Sequence, residues 1–260
     1  MKRTVALVLV VLLSFYAVGC ASVQSAEKLK EKGQYAKALE MLKKVDSEES
    51  RALLVPYTEA YAQQLIKDGE YQKAKDILLE LGDASYDKLL LGQSNCGLLY
   101  EIIKEKGTKG NEGKRIYTPL DDEEVLYLEI TDDNTLVLGL DFENTVGAAE
   151  RSIKIYIDGK SNNPYCEFVH GISMNLLGVS MIYRGEGFGR ITNKTPNSKS
   201  PIFEIDLEKY SETGNNKNGN LKEVAVSINN ESIKKMLSKL PSLVSQNGLQ
   251  ISSVNELGIF

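Results

Sequence analysis

The chain has 260 residues, of which 42% are hydrophobic and 26% are charged. These are ordinary values for a globular protein, so they exclude a disordered chain and a protein with many membrane spans. Lys and Arg number 31 against 36 Asp and Glu, which gives a formal net charge of -5. Because nucleic-acid binding needs a basic surface, we predict no nucleic-acid partner. The single His excludes catalytic or metal centres that require several histidines.

Residues 1–19 have the plan of a secretory signal peptide. Lys2 and Arg3 form a positive start, and an almost unbroken apolar run extends from Val5 to Val18. This run is too short to span a bilayer comfortably. It ends in Ala17-Val18-Gly19-Cys20, which resembles the bacterial lipobox, although Ala17 replaces the Leu that is usual at its position.

The lipobox resemblance implies a lipid-anchored, extracytoplasmic protein of the bacterial cell envelope. In such proteins the peptide before the Cys is removed and the thiol is acylated, so Cys20 is the predicted site of lipid (palmitate) attachment and of membrane contact. Each buried methylene contributes about 0.8 kcal/mol, which makes two or three acyl chains a stable anchor. Loss of Lys2 and Arg3 leaves 29 basic against 36 acidic residues, a net charge of -7. The alternatives are a simple signal peptide with a chance Cys and an uncleaved anchor.

Two further cysteines, Cys96 and Cys166, remain in the mature chain. An even pair in an exported protein permits a disulfide. We favour the alternative, in which both are separately buried thiols.

Residues 26–81 contain an internal repeat at an offset of 36 residues. The recurring pairs are Ala26/Ala62, Leu29/Leu65, Gly33/Gly69, Tyr35/Tyr71, Lys37/Lys73, Ala38/Ala74 and Leu42/Leu78. After Gly33 the apolar residues fall at spacings of three and four, which indicates an amphipathic helix. We predict that Gly33 and Gly69 take the left-handed conformation that closes one helix before the next begins. We also predict that Tyr35 and Tyr71 are buried at equivalent positions.

The pattern Gly-x-Tyr-x-x-Ala at residues 33–38 and 69–74 resembles the start of the second helix of the tetratricopeptide repeat. The resemblance implies a TPR-like helical repeat domain over residues 20–104, closed by a helix within residues 83–104. We place Pro56 in the first turn of the second unit's leading helix. Repeats of this family present a groove to a peptide or protein partner. The alternative is a spacer that only packs against the following domain.

Residues 105–114 hold three Gly and no apolar anchor, so we predict a linker there. In residues 115–260 the apolar period changes to two, which indicates a β-rich domain. We predict strands over residues 125–130, 136–142, 153–157, 165–170, 176–183, 203–207, 224–228 and 250–254. Residues 233–240 form one late helix, begun by Asn229 or Asn230 and ended by Pro241. The fold class is therefore α+β and multidomain, with a mostly antiparallel β-sandwich-like domain or a strongly curved sheet.

The sequence lacks a recognisable catalytic, cofactor-binding or metal-binding motif. Residues 107–114 lack the second Gly of a phosphate loop, and Gly185–Arg190 are interpreted as a flexible turn. The acidic runs 121–124 and 132–133 lack calcium-loop spacing, and His170 is interpreted as a structural imidazole. We therefore predict a chain without enzymatic activity and without a cofactor.

These observations favour a non-catalytic protein-protein interaction or envelope-assembly module. One alternative is a ligand-capturing surface lipoprotein that uses the β-rich domain. Another is an envelope hydrolase with a carboxylate pair drawn from Asp141, Glu167 and Asp206. An enzyme would gather acids of shifted pKa in a cleft, whereas an interaction module would show a shallow apolar or aromatic patch.

Overall fold

The computed structural model describes residues 22–82, 87–110, 113–120, 124–131, 135–142, 148–157, 165–176, 179–195, 202–214 and 221–257. Cys20 and the predicted signal peptide lie outside these residues. The chain divides into two compact units between Ser94 and Asn95. The first unit is helical and the second contains an antiparallel sheet with a late helix, which confirms the α+β class.

Among the described residues, five helices precede the sheet. They are α1 (described over residues 22–31), α2 (Tyr35–Lys43), α3 (Glu48–Lys67), α4 (Tyr71–Leu79) and α5 (Lys88–Lys106). Gly33 and Gly69 connect α1 to α2 and α3 to α4 with φ angles of 70° and 78°, so the predicted left-handed turns are confirmed. Tyr35 and Tyr71 begin α2 and α4 at equivalent positions, but both are half-buried and not fully buried as predicted.

The sequence repeat is also a repeat of local geometry. After each turn the backbone N–H of Gln34 or Glu70 donates to the carbonyl of Leu29 or Leu65, in both cases at 2.8 Å. The repeated alanines are fully enclosed, with Ala26, Ala38, Ala62 and Ala74 all at 0% exposure. Small side chains at these positions let the helices of each hairpin approach closely.

Helix α3 begins earlier than predicted, so Pro56 lies inside it and not in its first turn. The Ser47 hydroxyl accepts a hydrogen bond from the Ser50 N–H at 3.0 Å, and Glu48 and Glu49 occupy the first turn. A hydroxyl cap and acidic first-turn residues both stabilise a helix start. These local signals therefore set the beginning of α3, and the exposed Pro56 is tolerated within it.

The second unit is built on eight antiparallel strands, each paired with its neighbour in the chain. The strands are β1 (Thr108–Lys109), β2 (Gly113–Pro119), β3 (Glu124–Thr131), β4 (Leu136–Phe142), β5 (Ala148–Ile157), β6 (Tyr165–Leu176), β7 (Val179–Asn193) and β8 (Phe203–Gly214). In the described part of the chain they form one sheet and not the two packed sheets of a sandwich. The predicted linker, residues 105–114, includes the end of α5 and strand β1, which pairs with β2.

One face of the sheet is apolar and is covered by α6 (Leu221–Gln246), which contacts β8 and β4. A buried row crosses four strands through Leu128, Leu138, Ile155 and Cys166. The helix contributes the buried stripe Ile233, Met236, Leu237 and Leu240, which confirms the predicted amphipathic helix.

The bounds of α6 correct three predictions. Residues 224–228 belong to this helix and do not form a strand, Asn229 and Asn230 lie inside it, and Pro241 does not end it. The alternating apolar pattern of residues 224–228 is short. The buried positions that follow it recur at helical spacing as far as Val244. The amide oxygen of Asn230 accepts a hydrogen bond from the Ile205 N–H of β8 at 2.9 Å, so this side chain supports the sheet and not a helix start.

Three other predicted segments also differ. Residues 176–183 span the end of β6 and the start of β7. Gly185–Arg190 lie within β7 and do not form a turn. Residues 250–254 are not a strand. Residues 250–253 lead into a short 3-10 helix, Val254–Leu257, that contacts α5. The Asn95 amide donates to the Glu256 carbonyl at 2.6 Å, and the Cys96 thiol lies 3.2 Å from the Leu257 carbonyl oxygen.

Candidate functional site

An aromatic and cationic surface lies where the two helical hairpins meet. Tyr61 of α3 packs against the buried clusters of both hairpins. Its ring stacks on that of Tyr35, with centroids 6.4 Å apart and an interplanar angle of 22°. The Lys73 ammonium lies 5.9 Å from the Tyr61 ring centroid. We call Tyr35, Tyr61 and Lys73 the hairpin surface, because they join the two repeats and remain partly open to solvent.

The charges around this surface are held by neighbouring groups. Lys73 donates to Glu70 at 3.0 Å, and hydrogen bonding to Glu70 and then to Tyr61 raises the pKa of Lys73. The Lys30 ammonium lies 4.6 Å above the Tyr57 ring. Burial of Tyr57, together with the charges of Glu27 and Glu31, raises the pKa of its hydroxyl. Lys73 therefore carries a positive charge at neutral pH, and the ammonium groups of both lysines lie beside an aromatic ring.

A second cluster lies on the sheet face opposite α6. There Arg115 of β2 forms an ion pair with Asp141 of β4, and its guanidinium lies 3.9 Å from the Glu129 carboxylate of β3. Its guanidinium carbon is 4.7 Å from the centroid of the Tyr127 ring. The side chains of Arg115 and Glu129 are only 13% and 3% exposed. Since a buried charge is costly unless it is paired, this cluster fixes three strands relative to one another.

The same face carries a row of half-buried aromatic rings on three adjacent strands. Tyr156 and Tyr165 stack at 4.7 Å with an angle of 10°, and Phe188 lies 5.3 Å from Tyr165. The Tyr156 hydroxyl donates to Glu167 at 3.0 Å. Because Tyr156 and Tyr165 stack on each other, their facing surfaces are used for cross-strand packing.

The three candidate acids of a hydrolase are not brought together. Asp141, Glu167 and Asp206 lie on β4, β6 and β8, so one strand separates each from the next and their backbones are at least about 9.6 Å apart. Hydrogen bonds from Thr192 and Lys194 lower the pKa of Asp206, whereas a general acid needs a raised pKa.

Cys96 and Cys166 are free and buried, so they form no disulfide with each other. The prediction of two separately buried thiols is therefore confirmed. Burial raises the pKa of each thiol to about 12, which keeps both protonated and unreactive at neutral pH.

His170 lies in β6, in register with Arg151 and Gly185. The acidic residues 121–123 and 132–133 lie outside the described residues, and the part of the chain that is described holds no group of acids, His and Cys arranged for a metal ion.

The hairpin surface could have been anticipated in part, because Tyr35 and Lys73 belong to the repeat. The Arg115 cluster could not, because its members are spread over 26 residues of sequence and meet only through strand register.

Comparisons with known proteins find no matching family model, no matching curated protein and no matching solved structure. No helix among the described residues is both long and apolar enough to cross a membrane.

Proposed function

We propose that this chain is a lipid-anchored, extracytoplasmic module of the bacterial cell envelope that binds a protein partner and has no catalytic role. The anchor rests on the lipobox-like residues 17–20. The proposed binding site is the hairpin surface, which is TPR-like in its repeat and its turns. Tyr61 is the observation that carries the binding proposal, because it is half-buried and packs against both hairpins beside a cation.

The chemistry of the hairpin surface suits an extended peptide segment of a partner protein. Tyrosine offers apolar area and a hydroxyl at a low entropic cost, and it is enriched where proteins meet. A lysine beside the ring can pair with a carboxylate of the partner. An acidic or mixed-charge segment with an apolar anchor is therefore the partner that this surface fits.

The anchor is tested by replacing Cys20 with Ser in the full precursor. We expect uncleaved precursor and loss of acyl label, since the thiol is the acylated atom. Cys166→Ser is the matched control and should keep both processing and label. Continued acylation of the Cys20→Ser variant would overturn the lipid-anchor proposal.

The binding surface is tested in the intact acylated chain by cross-linking in membranes. The Lys73→Glu variant reverses the exposed charge of the hairpin surface and should reduce cross-linking to the partner. Lys209→Glu, an exposed change on β8, is the control and should cross-link as the unchanged chain does. Surface substitutions usually alter stability by less than about 0.5 kcal/mol, so folding is expected to persist in both. Loss of cross-linking only in Arg190→Glu, on the sheet, would move the site to the β-rich unit.

A further inference from the structure

The described part of the helical unit begins two residues after the proposed lipid attachment site. Residue 22 is helical, and Ala21 is the only residue between it and Cys20. The two peptide units that join Cys20 to residue 22 span at most about 7 Å. This is shorter than the diameter of a helix with its side chains, about 10 Å. A chain acylated at Cys20 therefore has no flexible tether that would hold the helical unit away from the bilayer.

The contacts define which end of the helical unit is next to Cys20. Helices α1 and α2 form a hairpin, so residues 22–23 of α1 lie at the same end as the end of α2. The Ser50 hydroxyl at the start of α3 donates to the Leu42 carbonyl at 2.5 Å, and Lys43 bonds Glu80, just beyond α4, at 2.7 Å. We call the described residues 22–23, 42–51 and 79–82 the anchor end. Gly33 lies at the opposite end of the first hairpin, about 15 Å away along α1.

We infer that the anchor end is a membrane-apposed surface that rests on the lipid headgroups, an inference that itself depends on the proposed acylation of Cys20. Leu79, 49% exposed, is the one large exposed apolar side chain of the helical unit among the described residues, and it lies at this end. The anchor end carries three cations and four carboxylates, whereas the chain from residue 20 onward carries a net charge of -7. The surface nearest the bilayer is thus close to neutral, and little charge opposes contact with headgroups.

Contact of the anchor end with the bilayer would fix how the hairpin surface is presented to a partner. The turn at Gly33 points away from the bilayer, and the hairpin surface stands within one helix length of the headgroups. A partner segment must therefore approach close to the membrane.

The test measures the height of two positions in the acylated protein reconstituted into phosphatidylcholine vesicles. A fluorophore is attached to K44C at the anchor end or to K32C near the Gly33 turn, both exposed sites, and a headgroup quencher is added. The buried Cys96 and Cys166 thiols do not compete for the label. Each variant is also made with twenty Gly and Ser residues inserted after Ala21, which adds a mean reach of about 25 Å. Acylation of Cys20 is measured by mass in every sample.

We expect stronger quenching of the K44C label than of the K32C label, and loss of this difference on insertion. Acylated protein with equal quenching at the two sites, or with a difference that survives insertion, would overturn the membrane apposition and leave the lipid-anchor proposal intact. Protein that is not acylated would overturn both.

Discussion

The helical unit and the sheet unit use glycine for different physical reasons. At Gly33 an added Cβ would meet no atom within 4 Å, but the φ of 70° is one that L side chains avoid. At Gly187 a Cβ would lie 2.0 Å from the ring of Phe168, and at Gly139 it would lie 2.2 Å from the ring of Tyr127. The helical unit needs the conformation of glycine, whereas the sheet needs the space that glycine leaves.

This difference shows where the information for each unit lies. A turn glycine acts on its own backbone, so its role can be inferred from neighbouring residues. A glycine that accommodates a ring depends on which residue of the next strand stands opposite, as Phe168 stands opposite Gly187. The helical unit is thus specified mainly by local signals, and the sheet by register.

The largest expected effect is that of Phe168→Ala in the sheet. Phe168 is 1% exposed, and truncation of a buried Phe costs about 3–5 kcal/mol of the free energy of unfolding. Hydrogen exchange in denaturant should show this loss in the amides of the sheet unit. The matched variant Leu78→Ala should reduce protection of the helical unit instead. An equal loss of protection across both units in either variant would show that the two units unfold together. This would contradict the claim that each unit is stabilised by its own residues.

The next effect is that of Gly187→Ala, which crowds the Phe168 ring. We expect a loss of about 1–3 kcal/mol in the free energy of unfolding. Phe168→Leu frees space beside the ring position. The double variant should therefore lose less free energy of unfolding than the sum of the two single losses, by at least about 0.5 kcal/mol. Denaturant unfolding of the four proteins measures this coupling, and strict additivity would contradict the role of glycine as space.

A smaller effect is expected for Gly33→Ala, which forces Ala into a left-handed conformation. The cost is about 1 kcal/mol, measured as a reduced free energy of unfolding of the helical unit. Gly33→Asn should cost less, because Asn tolerates this region. If Ala and Asn proved equally harmless, the turn would not depend on backbone conformation.

The smallest effect concerns the pKa of Asp206, which the Thr192 hydroxyl and Lys194 lower. In Thr192→Val the pKa should rise toward its ordinary value, as measured by NMR titration of the carboxyl carbon. Because the folded pKa is lowered, the contribution of Asp206 to stability is present above its unfolded pKa and is lost as the pH falls below about 4. Thr192→Ser keeps the hydroxyl and should keep the low pKa, whereas a shift of equal size in both variants would exclude the hydrogen bond as its cause.

The local signals of the helical unit made its two hairpins predictable. The offset of 36 gave the correct turns at Gly33 and Gly69, and the enclosed Ala38 and Ala74 occupy their expected places. The error at Pro56 arose because the Ser47 cap was overlooked. The hairpin surface was missed as a unit because Tyr61 has no equivalent aromatic residue at the same position of the first repeat, where Ser25 stands.

The strands were predicted where alternation was long, as in β4 and the second half of β5. Prediction was wrong where strand formation depends on pairing with the neighbouring strands and not on local composition. Gly185–Arg190 has the composition of a turn, yet these residues form a strand because β6 and β8 pair with them on both sides. The Arg115 cluster likewise depends on the register of β2, β3 and β4, which composition does not encode.

The contacts of Asn95 and Cys96 with the carbonyls of Glu256 and Leu257 have a consequence for the order of folding. Each contact joins residues 161 positions apart, whereas every strand of the sheet pairs with its neighbour in sequence. Neighbouring strands can pair as soon as both have emerged during synthesis, since closing a short loop costs less entropy than closing a long one. The middle of α5 must wait for Glu256 and Leu257 before the buried amide of Asn95 has that partner. A nascent chain lacking these residues therefore leaves this part of its core unfinished, however completely its sheet has formed.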